Sequence, residues 1–256
     1  MNIVRIEYGH EIGYAEIKGD VVTYLKGDPY SSLLTSKRTL SVDQVKILCP
    51  IVPNRIFGVG VNYYATASAW SRPIPERPFL FMKPSTTVIG SGESIIYPRQ
   101  ATNVFFEGEL AVVIGKKGRH ITEDSALDYV LGFTCGNDLT ERNLQLDELK
   151  AGCMMLSKGF DTFNPLGPAI VTGLDSTALD IEVKVNGEVR QKGNTADLIF
   201  SVAKLISYLS EVITLLPGDV IMTGTPPGLG AVLPGDEIEI EMSGIGVLRN
   251  SVILEG

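Results

Sequence analysis

The stretch FFEGELAVVIG, Phe105 to Gly115, decides how this chain is read, because a strand-like apolar run carries two carboxylates near its middle. Side chains alternate faces along a strand. Phe105, Glu107, Glu109, Ala111 and Val113 therefore share one face, and Phe106, Gly108, Leu110, Val112 and Ile114 the other. Both faces are mostly apolar, which predicts a strand covered on both sides. Two like charges buried side by side are costly unless something cationic holds them. Carboxylate oxygens are hard ligands, so the implied ion is Mg²⁺ or Mn²⁺, with Ca²⁺ as a third option. Zinc does not fit a chain with two histidines and three cysteines at no metal-type spacing.

Outward from that stretch, short strand-like runs recur between turn signals: RIFGVGV, PFLFMKP, DYVLGFTCG, AIVTG, LDIEVKVNGEV, DVIMTGT, DEIEIEMSG and GVLRNSVILE. Asn186-Gly187 supplies the positive φ of a hairpin turn. Helical patterns are fewer. TEDSALDYV, with Thr122 as cap, predicts one helix, and the apolar spacing over 195–213 predicts another. Residues 1–30 alternate as strands, and Pro50 and Pro53 mark a boundary. The expectation is a mainly β (α+β) chain, with a small N-terminal β unit at 1–52 and a catalytic domain at 53–256.

The bulk properties exclude several functions. A formal charge of −8 over 256 residues argues against a nucleic-acid surface. No apolar run approaches the roughly 18 residues that cross a bilayer. The charged, alternating start of the chain does not resemble a signal peptide, and unpaired cysteines suit a reducing cytoplasm.

Other segments carry candidate chemistry beside a plainer reading. In CGNDLTERNLQLDELKAG, periodicity alone favours Asp138 as a helix cap, with Glu141 completing a capping box. The sharper alternative makes Asp138 a third oxygen ligand. Arg142 and Gln145 share a face if the segment is helical, with Arg142 as a fork for a carboxylate. SKGFDTFNPLGP places Lys158 in a Gly/Pro-rich connection, where it is either exposed or the counter-charge of an enolate. LLPGDVIMTGTPPGLG lacks the ending of a P-loop, so its alternatives are turns or an anion cradle at Gly224 and Thr225.

Taken in order, FFEGELAVVIGK, GFTCGNDLTERNLQ, SKGFDTFNPLGP, VNGEVRQKGNT, LLPGDVIMTGTPPGLG and GDEIEIEMSGIGVLRNSV resemble the fumarylacetoacetate hydrolase superfamily over Arg55 to Val252. The resemblance implies a rolled β-sheet and a homodimer. It implies a divalent ion at Glu107, Glu109 and Asp138, with Lys158 beside it. It also implies that Arg142, Gln145, Gly224 and Thr225 receive the carboxylate end of a 2-oxo acid substrate. The shared chemistry is a metal-stabilised enolate.

One departure shifts the expected reaction. Many hydrolase and decarboxylase members carry a His and a Glu three residues apart on a lid, as the water-activating base. Here GVNYYATASAW puts Thr66 and Ala69 there, and neither titrates near neutrality. Decarboxylation or keto–enol (or double-bond) isomerisation of a dicarboxylic 2-oxo acid is therefore expected ahead of C–C hydrolysis of acylpyruvates. Dehydration of 2-keto-3-deoxy sugar acids and an inactive ligand-binding homologue are further alternatives.

Overall fold

A central strand buried on both faces organises the computed structural model, which describes residues 1–256. Gly108–Ile114 is buried at every position. Leu110, Val112 and Ile114 enter a large core shared with Val183, Ile240 and Leu205. Ala111 and Val113 pack on the opposite side against Ile3, Ile170 and Met222. Each such branched side chain contributes roughly 1.5–3 kcal/mol by leaving water.

The run from Phe105 is not one strand, as its periodicity predicts, but two. Val104–Phe106 joins Thr140–Glu141 and Gly230–Ala231 in a three-stranded sheet, and Glu107 sits at the break before Gly108–Ile114. The cause is local. The Glu107 N–H donates to Asn137 Oδ1 at 3.0 Å and the Gly108 N–H to Gln191 Oε1 at 3.1 Å, so side-chain acceptors replace ladder carbonyls. A Cβ at Gly108 would lie 2.5 Å from Val183 Cγ2, so only glycine allows this approach.

The architecture is mostly β, as expected. The long sheet runs in the order Thr35–Ser41, Val21–Leu25, Glu11–Lys18, Asn2–Tyr8, Asn164–Val171, Val130–Asn137, Gly108–Ile114, Val220–Met222, Ile56–Gly60 and Phe79–Lys83. The N-terminal strands continue this sheet, joined to it where Asn2 and Ile3 pair with Val171 and Ile170. A five-stranded sheet contains Asp180–Val185 and Glu188–Asn194, connected by the expected hairpin with Asn186 and Gly187 both at positive φ.

Three α-helices complete the fold: α1 (Tyr64–Ala69), α2 (Arg142–Lys150) and α3 (Val202–Val212). The helix expected over 195–213 begins late. Thr195–Asp197 is a 3₁₀ turn, and α3 starts only where Ser201 Oγ accepts the Lys204 N–H at 3.2 Å. The segment after Thr122 is likewise 3₁₀, over Glu123–Tyr129, rather than α-helical.

Candidate active site

The central strand, the strand beside it, the edge strand Phe79–Lys83 and two short connections bring five ionisable side chains to one buried place. Glu107 stands at the break between sheets and Glu109 on Gly108–Ile114. Asp138 directly follows Val130–Asn137, which pairs with that strand. One carboxylate oxygen from each lies within 4.8 Å of the others, and all three residues are buried. The geometry thus joins acids that the sequence separates by up to 31 positions (138 − 107).

Two lysines enter the same cluster. Lys158 Nζ lies 2.8 Å from Glu107 Oε2 and 2.6 Å from Asp138 Oδ2. Lys83 Nζ pairs with Asp138 Oδ1 and donates to the Phe163 carbonyl at 2.8 Å. Neither lysine is more than 3% exposed. The plain reading of Lys158 as a solvated loop side chain is therefore excluded. The capping reading of Asp138 fails too. Glu141 is the N-cap of α2, accepting the Leu144 N–H at 2.6 Å, because both oxygens of Asp138 are already engaged by ammonium groups.

The remaining hydrogen bonds orient the acids. Thr140 Oγ1 donates to Glu107 Oε1 at 3.1 Å, and the Gly224 N–H donates to Glu109 Oε2 at 2.8 Å. Gly224 thereby holds a carboxylate of the cluster. Thr225 Oγ1 donates to the Gly108 carbonyl at 2.9 Å and accepts from Gln191 Nε2 at 2.8 Å, which ties it to the turn between the two glutamates. On α2, Arg142 donates to Gln145 Oε1, so the two share a face as their spacing predicts. The Arg142 guanidinium also stands 5.3 Å from the centre of the Trp70 ring.

Burial and neighbouring acids set the protonation of the cluster. Burial raises Glu107 and, together with the charges of Asp138 and Glu107, raises Glu109 well above the usual carboxylate range. Burial also opposes ionisation of Asp138, but the charges of Lys158 and Lys83 outweigh it and hold Asp138 low. The lysines diverge. Burial lowers Lys83, whereas Asp138, Glu107 and Glu109 overcome burial at Lys158 and keep it protonated. Were all three carboxylates ionised, as ligation of a divalent ion requires, the two ammonium groups would leave one negative charge uncompensated, which is why Glu109 is pushed toward its protonated form. A hard divalent cation fits this donor set in number, chemistry and spacing.

Glu107, Glu109, Asp138 and Lys158 line a small cavity of about 60 Å³, room for only a handful of water-sized molecules. Its wall adds Thr66 from α1, Trp70 and Arg72 from the turn after it, Phe79 and Phe81 from the edge strand, and Arg142, Gln145, Leu149, Met154 and Thr225. Thr66 is buried and its hydroxyl donates to the Thr225 carbonyl at 2.9 Å. Ala69 adds no polar group. Neither histidine lines the cavity. Sequence reasoning missed Lys83, Gln191 and Glu148. Lys83 left one trace, a lysine closing the apolar run FLFMK just before a proline, at a position where alternation points inward.

Comparison with known proteins places this geometry among solved relatives. The fumarylacetoacetate (FAA) hydrolase C-terminal family model matches residues 55–253, and an Rv2993c-like N-terminal model matches residues 1–50. An uncharacterized protein of Archaeoglobus fulgidus is 47% identical over 94% of this chain and 91% of its own length. The human mitochondrial oxaloacetate tautomerase FAHD2A is 40% identical over 82% of this chain and 70% of its own. A 5-carboxymethyl-2-hydroxymuconate delta-isomerase structure from Mycobacterium smegmatis superposes with a TM-score of 0.93 at 38% identity, covering all of both chains. A maleylpyruvate hydrolase structure from Sphingobium, in complex with manganese and pyruvate, superposes at 0.83 and 27% identity, again over both full chains.

Proposed function

Since this chain belongs to the fumarylacetoacetate hydrolase family, we propose that it is a Mg²⁺- or Mn²⁺-dependent isomerase of a dicarboxylic 2-oxo acid such as oxaloacetate, interconverting keto and enol forms or releasing CO₂ through the same enolate. One observation carries the reading. Two buried ammonium groups stand against three carboxylates beside a narrow cavity, while α1 offers only Thr66 and Ala69 where a water-activating pair would stand. With a divalent ion held there the site would stabilise the negative charge of an enolate, and α1 lacks the titratable pair that would activate water.

Glu107, Glu109 and Asp138 would hold the divalent ion, which as a Lewis acid polarises the 2-oxo group and favours the enolate. Arg142 and Gln145 receive the substrate carboxylate from α2, with Arg142 braced against Trp70. Lys158, kept protonated, delivers a proton to the nucleophilic carbon of the enol and recovers one from its hydroxyl, which completes isomerisation with no net change in atoms. After loss of CO₂ the same delivery quenches the carbanion. Lys83 stays fixed on Asp138 and the Phe163 carbonyl as counter-charge. Phe81 and Leu149 give the cavity an apolar wall, which lowers the local dielectric and strengthens each of these interactions. Relatives named oxaloacetate tautomerase and isomerase support this class of reaction.

We further read the active form as a cytoplasmic homodimer. Phe79–Lys83 ends the long sheet and leaves Phe79 and Met82 exposed, with Met155 exposed beside them around one apolar hollow, an edge that needs a cover. Light scattering gives the mass directly. The activity is tested by following the enol absorbance of oxaloacetate with and without Mg²⁺ or Mn²⁺. Metal-dependent acceleration, abolished by chelation, is expected. Rapid hydrolysis of acylpyruvates without isomerase or decarboxylase turnover would overturn the reading.

A further inference from the structure

Glu148 is a buried carboxylate that does not line the cavity and pairs with no lysine or arginine. It lies on α2, three residues beyond Gln145 and six beyond Arg142. Its acceptors are nevertheless fully used. The side chain receives the Met155 N–H at 3.2 and 3.3 Å on its two oxygens and the Leu156 N–H at 2.7 Å. It also receives the Ser157 N–H at 2.9 Å and the Ser157 hydroxyl at 2.5 Å. The backbone carbonyl of the same residue accepts from Ala151 at 2.9 Å and Cys153 at 3.1 Å. The next residue along the chain after Ser157 is Lys158.

We propose that Glu148 is a positioning residue that clamps the 151–157 connection onto α2 and so fixes Lys158 relative to Arg142 and Gln145. The inference rests on the enolate reading above for its kinetic consequence, and on geometry alone for the clamp itself. Three successive backbone N–H groups converging on one carboxylate form an anion-binding nest, and ionised acceptors make such bonds roughly twice as strong as neutral ones. Burial works against the charge of Glu148, but the Ser157 hydroxyl and the three amides outweigh it and hold the group below the usual carboxylate range.

The connection has no other rigid tie of this kind. Gly152 sits at positive φ, and Cys153, Met155 and Leu156 are exposed in the protomer, so besides Glu148 the segment is held to α2 chiefly by buried Met154, whose sulfur accepts from Gln145 Nε2 at 2.9 Å. Yet it must deliver Lys158 within 2.8 Å of two separate acids. Because α2 carries both the clamp and the substrate fork, Glu148 joins the carboxylate-binding end of the cavity to the proton-delivering end. A displacement of about 1 Å at a reacting group can cost on the order of 100-fold in rate.

The test is Glu148→Gln, with Ser157→Ala as a milder companion that removes a single bond. Gln presents an NH₂ to Ser157, where an acceptor is required. Three readouts are taken on folded protein: amide hydrogen exchange over 155–157, acetylation of Lys158 followed by mass spectrometry, and steady-state kinetics. Glu148→Gln is expected to speed exchange and Lys158 labelling at least about 10-fold, and to lower kcat about 10- to 100-fold with KM shifted less than about 3-fold. Ser157→Ala should move each readout the same way by a smaller factor. Unchanged exchange and labelling in the folded variants, or wild-type kcat, would overturn the proposal. If the wild-type protein turns over no 2-oxo acid, the enolate reading falls, and exchange and labelling still decide the clamp. Should Glu148→Gln not fold, the same two measurements on Ser157→Ala decide it.

Discussion

The Thr66 hydroxyl donates to the Thr225 carbonyl across 2.9 Å, so α1 is latched to the loop that also orients Glu109 through Gly224. A side chain committed to closing the lid cannot also activate water, and Ala69 one turn later has nothing to offer. Installing a base is therefore expected to add a reaction. The Thr66→His, Ala69→Glu double variant should gain hydrolysis of acylpyruvates by about 100-fold or more over wild type, the usual contribution of a positioned general base. Product analysis of acetylpyruvate digests measures it. Wild-type protein hydrolysing as fast as the double variant would show that water is activated by another group.

A divalent ion should stabilise the fold by mass action, because it binds three carboxylates that converge only in the native state. At Mn²⁺ near 100 times its dissociation constant the gain is about 2.7 kcal/mol, or roughly 5–10 °C in Tm for a chain of this size. Glu109→Gln removes one ligand and should abolish both the shift and the turnover, while staying folded through the amide's own bond with Gly224. Differential scanning fluorimetry with and without Mn²⁺ reads this in one experiment. A full Tm shift retained in Glu109→Gln would place the ion elsewhere.

The two lysines on Asp138 should separate in their consequences. Lys83 also holds the Phe163 carbonyl, so Lys83→Met strips a buried carboxylate and a buried carbonyl of a partner at once. Breaking one half of a buried ion pair costs roughly 3–5 kcal/mol, and this variant should lose about that much stability in urea titrations. Lys158→Met leaves Asp138 paired with Lys83 but takes a partner from Glu107 and from Asp138, so its stability loss should be at least as large, while its turnover falls at least about 100-fold. Equal turnover in the two variants would argue that proton delivery does not depend on Lys158.

The legible part of this molecule was what period and residue type encode. The alternation in FFEGELAVVIG gave a strand covered on both faces, and Asn186-Gly187 gave its hairpin. Glu107 and Glu109 stood out because carboxylates do not belong in apolar runs without a partner, whereas periodicity favoured Asp138 as a helix cap and only the family resemblance joined it to them. The break at Glu107 was hidden because its causes, Asn137 and Gln191, lie 30 and 84 residues away. The late start of α3 was hidden for a related reason. The apolar residues of 198–200 fit helical spacing but are used as extended chain, where the Phe200 N–H and carbonyl bond Asn62. Lys83 carries only a faint local mark, its inward register at the end of FLFMK, and Glu148 carries none. One ends a strand and the other sits on a helix with a polar composition, and only their tertiary partners distinguish them.

The buried thiols predict an alkaline limit to stability. Burial is the leading cause that pushes Cys49 and Cys135 up to about 12 from the ordinary 9.0, against small opposing hydrogen bonds. In the unfolded chain both ionise near pH 9. In the folded chain both keep their protons until about pH 12. Above pH 9 the unfolded state therefore binds fewer protons than the native one, and stability must fall as pH rises. Below pH 9 these groups contribute a constant amount. Each thiol should remove about 1.4 kcal/mol per pH unit between about 9 and 12. Chemical denaturation from pH 7 to 11 measures the slope, and Cys135→Ala should make it shallower by about one thiol's share. The same burial predicts reactivity. Cys153 alone is exposed in the protomer, where it lines the hollow beside Phe79–Lys83, so a disulfide reagent at pH 8 should titrate at most one thiol in native protein, slowly where a dimer covers that hollow, and three after denaturation. Rapid native reaction of all three would mean that Cys49 and Cys135 are not shielded, and the alkaline slope would vanish with that shielding.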